Sequence, residues 1–120
     1  MNGALRSAYA AELQSAATAA SSGNAEQAFH HLARAHILGQ RHTIQHVQSH
    51  WLMLKLGLSV GAWGEVAGQM SRIVAAALFS RISVPAGNTG RANVSAFKPM
   101  PIPEDLRGVL ERGERQGRPG

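Results

Sequence analysis

Leu5, Tyr9, Leu13, Ala16 and Ala20 recur at three- or four-residue intervals near the start of the chain. At about 100° per residue they line up as one stripe, so the spacing predicts a helix over 3–21. "SSGN" interrupts the pattern: Gly23 reads as a helix stop and Asn24 as the N-cap of the next helix. That second helix is expected over 25–38, with Ala25, Ala28, Phe29, Leu32 and Ala35 inward and Gly39 ending it. A third is expected over 42–58. Ile44, Val47, Trp51, Leu54 and Leu58 make its apolar face, and Leu52 and Leu56 lie opposite, so its second half reads as buried nearly all round. "SVGAWG" is the next break, and a fourth helix follows over 63–80 with Val66, Met70, Ile73, Val74, Ala77 and Leu78 inward.

Residues 84–103 hold four of the five prolines and do not read as a helix. Val94, Phe97, Met100 and Ile102 recur within them, which predicts an extended arm packed on the helices, turned at "PAGNTG". A short helix is expected over 104–112, with Leu106, Val109 and Leu110 inward, and a disordered tail over 113–120. The expected fold is all-α: four main helices in two antiparallel hairpins, closed by a Pro-rich C-terminal arm, as a single helical domain over 1–112. Gly23 and Gly61 align the two halves at an offset of 38 residues. That gives the hairpins a tetratricopeptide-like character, without the Trp, Tyr and Pro positions usual in that repeat. Two hairpins leave an apolar face uncovered, so a protein partner or a homodimer is expected.

Composition narrows the function classes. A chain of 120 residues suits one modest core, and alanine carries much of its 44% apolar content. There is no cysteine, hence no disulfide, thiolate metal site or thiol nucleophile, which fits a reducing cytoplasm. The net charge of +5 raises nucleic acid as a ligand. The basic residues argue against it, because they are scattered, and the Arg-rich tail is interleaved with Glu104, Asp105, Glu111 and Glu114. No run approaches the ~18 apolar residues of a membrane span, and the N-terminal segment is amphipathic rather than signal-like. No phosphate loop, nucleophile elbow or carboxylate dyad is present, so a binding or interaction module is expected rather than an enzyme of familiar mechanism.

Histidine supplies the candidate chemistry. His42, His46 and His50 are spaced by four and sit at 0°, about 40° and about 80° on their helical wheel, beside an apolar arc that begins near 120°. His36 falls on the core stripe of the second helix, whereas His30 and His31 fall away from it. Antiparallel pairing about Gly39 sets His36 level with His46. A turn at Gly23 sets Glu12 level with residues 34–36. Glu12, His36, His46 and His50 therefore make a candidate site for a transition metal: zinc, nickel, copper or iron. Neutral imidazole donates a lone pair at neutral pH and a carboxylate offsets the metal's charge. Such ligands must lose protons, so binding should weaken as pH falls through about 6.5. A core hydrogen-bond network, in which Glu12 pairs with a histidinium or with Arg34, explains the same spacing. So does a small metal-dependent enzyme in which a His–Glu pair does acid–base work.

The strings "ARAHILGQRH", "HVQSHWLML" and "GNTGRANVSAFKPMPIPEDL" resemble the bacterial domain-of-unknown-function family 3703 over roughly residues 5–106. The resemblance implies a small bacterial, cytoplasmic, mostly helical protein. It also implies a histidine in "AH-x-L-G-Q" and a pair H-x3-H, which fall on His36, His46 and His50. The family's acidic residue before "RAH" is replaced here by Ala33.

Overall fold

The computed structural model describes residues 1–78 and 100–117. Among these, five helices and no strand are present: α1 (Gly3–Ser21), α2 (Ala25–Gly39), α3 (Thr43–Val60), α4 (Trp63–Leu78) and α5 (Glu104–Gly117). The all-α class is as expected. The arm's turn and the apolar positions Val94 and Phe97 lie outside the described residues. The last helix does not stop at residue 112 but runs five residues further, to Gly117.

Local chemistry sets the breaks. Gly23 and Gly61 take φ of 77° and 71°, the left-handed region that glycine enters without a Cβ penalty. Asn24 caps α2 by accepting from the Gln27 N–H at 3.1 Å. After Gly61, Ala62 N–H donates back to the Gly57 carbonyl at 2.9 Å, which closes α3 and starts the return of α4. α1 packs along α2, α3 along α4, and α2 along α3, while α5 lies across α1 and α2.

The core sits mainly on α1, α2 and α5. Leu5, Tyr9, Ala35, Ile37, Leu38 and Leu106 form one cluster, and Ala16, Phe29, Leu32 and Met53 a second. The C-terminal half of α2 is buried almost all round, because α1, α3 and α5 all meet it. A polar brace ties three helices at its edge. Glu12 accepts from Arg34 Nε at 2.7 Å and faces His31 Nδ1 at 2.7 Å. Arg34 in turn reaches Asp105 of α5.

The second hairpin departs from its expected faces. On α3, three of the residues expected inward stand outward: Ile44, Trp51 and Leu58 are 77%, 52% and 50% exposed, while Leu54 is buried as expected. Leu54 shares the buried face with His46, Ser49, His50, Met53 and Gly57. At about 100° per residue the outward three cluster together and turn away from the histidine side, with Leu54 at the border. α4 is rotated in the same sense. Met70 and Val74 are exposed, whereas Glu65 and Gln69 are buried. The reason is pairing: once the histidines turn toward α2, the polar pair of α4 is the complement they meet, and the bulkiest apolar residues are left outside.

At Gly39 α2 comes close to both α1 and α3. A Cβ there would stand 2.8 Å from the Gln45 Cβ and 3.2 Å from the Tyr9 ring. Gly39→Ala is therefore expected to destabilise the protein by about 1–3 kcal/mol through overpacking, despite alanine's better helix propensity. Urea unfolding checks this, and unchanged or raised stability would show that the junction is loose.

Candidate metal centre

α2 and α3 place three imidazoles face to edge. His36 lies 4.9 Å from His46 and 4.7 Å from His50 between ring centroids, and His46 lies 4.9 Å from His50. All three are buried. The i,i+4 spacing stacks His46 and His50 on one face of α3, and the turn at 40–42 brings His36 back opposite them. One nitrogen from each lies within 4.8 Å of the others, and among the described residues this is the group that could hold a metal ion. His46 Nε2 and His50 Nε2 are already 3.2 Å apart. In a tetrahedral site with Zn–N of about 2.0–2.1 Å, the ligand nitrogens stand roughly 3.3 Å apart, a separation that the His46–His50 pair matches.

Glu12, the fourth expected ligand, is not in this group. Its carboxylate is held between Arg34 and His31. The expected height along α2 was correct, but the azimuth was not: His36 is two residues beyond Arg34, about 200° around the helix. His31, expected to point away from the core, is the partner that Glu12 meets there.

Two residues of α4 belong to the site's surroundings and were not expected. Gln69 Oε1 lies 2.6 Å from His50 Nδ1. Gln69 Nε2 lies 3.0 Å from Glu65 Oε2 and 3.4 Å from Met53 Sδ. Reading α4 for apolar residues alone hid them. The available signal was a Glu and a Gln spaced by four beside Val66 and Ile73.

A family profile described as protein of unknown function (DUF3703) matches residues 3–110. The chain belongs to that family. No curated protein and no solved structure matches it. The three histidines, Gln69 and Glu65 of this DUF3703 protein all fall within the matched span.

The electrostatics favour the neutral form of His46 and His50. Burial pushes His46 below the ordinary histidine range. His50 falls to about 4, first by burial, with His46 and Arg72 adding to the shift and the Gln69 bond opposing it. Neutral imidazoles are the form that binds metal.

The shift has a consequence for folding. The folded-state value of His50 lies below the unfolded value of about 6.5, so the unfolded chain binds its proton first. The stability from neutral His50 is present in full above pH 6.5. It should fall as pH drops toward about 4, by an amount on the order of 3 kcal/mol, and then level off. Urea unfolding of the metal-free protein across that range reads this directly, and a flat profile would contradict it. Glu12→Gln weakens the Arg34 brace, so it should lower stability by about 1–3 kcal/mol while leaving metal affinity unchanged. A matching loss of metal affinity in calorimetry would return Glu12 to the site.

Proposed function

We propose that this protein is a small helical binding module that holds one transition metal ion through His36, His46 and His50. The observation that carries the reading is the convergence of three buried imidazoles from two helices, with one nitrogen from each within 4.8 Å of the others. Three neutral nitrogen donors suit zinc, copper, nickel or iron and not the hard oxygen-seeking cations. Three protein ligands leave a fourth position for water or another donor. The rival reading is a purely structural hydrogen-bond network, favoured by the 3.2 Å approach of His46 to His50. The module reading is preferred over a metal-dependent enzyme because the clefts lined by Leu5, Ile37 and Leu110, and by Ser15, Thr18 and Gln27, contain none of the three histidines.

The outward apolar residues of α3 and α4, Trp51 and Trp63 among them, support a protein partner or a second copy of the chain. The lack of cysteine suits a bacterial cytoplasm.

Calorimetric titration of the purified, tag-free protein with zinc, nickel and copper tests the reading. One ion per chain should bind to wild type. His46→Ala should weaken binding by at least about 100-fold, since removing a ligand's hydrogen-bond partner alone costs 10–100-fold. His30→Ala, on an exposed residue, should change nothing. Because burial holds His46 and His50 neutral, binding should persist below pH 6.5 instead of failing there. Equal affinity in wild type and His46→Ala would eliminate the site. Equal losses in His46→Ala and His30→Ala would show diffuse surface binding.

A further inference from the structure

Two buried groups stand in a row behind His50, and their chemistry determines which nitrogen of that ring carries the proton. A carboxylate accepts hydrogen bonds and donates none. Glu65 Oε2 lies 3.0 Å from one terminal atom of the Gln69 amide, so that atom is the nitrogen, donating. The opposite amide orientation would set two oxygens against each other in a buried place. The same NH2 group also lies 3.4 Å from Met53 Sδ, a weak acceptor that suits a donor and not a carbonyl. With the amide so oriented, its oxygen faces His50 Nδ1 at 2.6 Å. An oxygen there can only accept, so Nδ1 carries the proton. A neutral imidazole has one N–H, which leaves a lone pair on Nε2. Nε2 is the atom turned toward His46.

We infer that Gln69, oriented by Glu65, is a positioning residue of the centre: it holds His50 in the tautomer whose Nε2 lone pair faces His36 and His46. The tautomer belongs to the metal-free protein. Its value for metal capture rests on the proposed metal reading. Ligating histidines are commonly held through their second nitrogen by a carbonyl or carboxylate, and here an amide does so with a carboxylate behind it. α4 thereby becomes part of a site whose ligands come from α2 and α3.

The experiment has two arms. Long-range ¹⁵N NMR of the metal-free protein should show His50 protonated on Nδ1 in wild type and mixed between its nitrogens in Glu65→Gln. Cobalt(II) titration, followed by the visible absorption of the bound ion, should show Gln69→Leu weakened by about 10–100-fold and Glu65→Gln by less. The double variant Glu65→Gln/Gln69→Glu reverses the polarity of the pair. Its carboxylate at position 69 accepts from both the ring and the new amide, so affinity should return toward wild type. A structural role alone would make the double variant no better than the singles. Finding the wild-type proton on Nε2 overturns the inference. So does cobalt binding that is unchanged in both Gln69→Leu and Glu65→Gln. If wild type binds no cobalt, the metal reading fails, and the NMR arm still decides the tautomer. If Gln69→Leu does not fold, Glu65→Gln and the NMR arm decide in its place.

Discussion

Three imidazoles pressed together out of water tolerate very little positive charge. A proton on His50 loses its hydration shell and then meets His46 and a nearby Arg72, which is why burial first of all pushes that ring down to about 4. Most of the molecule's departures from a simple helical bundle follow from burying this group. α3 turns its histidine face inward and sends Ile44, Trp51 and Leu58 outward. α4 then turns Gln69 in to meet His50, with Glu65 behind it, and leaves Met70 and Val74 outside. A buried polar cluster is tolerable only when its hydrogen bonds are supplied from within, and the second hairpin is arranged to supply them.

The first hairpin solves a different problem. α1, α2 and α5 enclose the apolar core, and the Glu12–Arg34–Asp105 brace fastens its edge. Tyr9 links this half to α3: its hydroxyl reaches the Gln45 carbonyl at 3.1 Å and the Gln48 side-chain oxygen at 2.8 Å. Burial raises its phenol to about 12. α2 is therefore shared. One side belongs to the core and, at its C-terminal end, His36 belongs to the cluster. Metal binding would act on a junction between two halves that are otherwise built on separate principles.

Much of this was legible in the chain because it is local. Gly23, Asn24 and Gly61 act through φ and capping, which depend on neighbours in sequence. His36, His46 and His50 were legible because their wheel positions place them on or beside core-facing stripes. What escaped depends on azimuth between helices. The apolar stripe of α3 looked like the inward face because Ile, Trp and Leu are larger than His, and periodicity alone does not say that the polar face is the one with partners. Glu12 was set at the right height and on the wrong side of α2. Glu65 and Gln69 carry no apolar signal, although their four-residue separation puts them on one face. In each case the missing information was what sits opposite, which is a property of packing.

If the three rings form one nitrogen-rich coordination site, X-ray absorption at the zinc edge of the stoichiometrically loaded protein should show it most directly. The expected first shell is three imidazole nitrogens at about 2.0–2.1 Å, with the multiple-scattering pattern of histidine rings and one further light donor. A first shell of oxygen atoms alone, or one with a single imidazole, would contradict it.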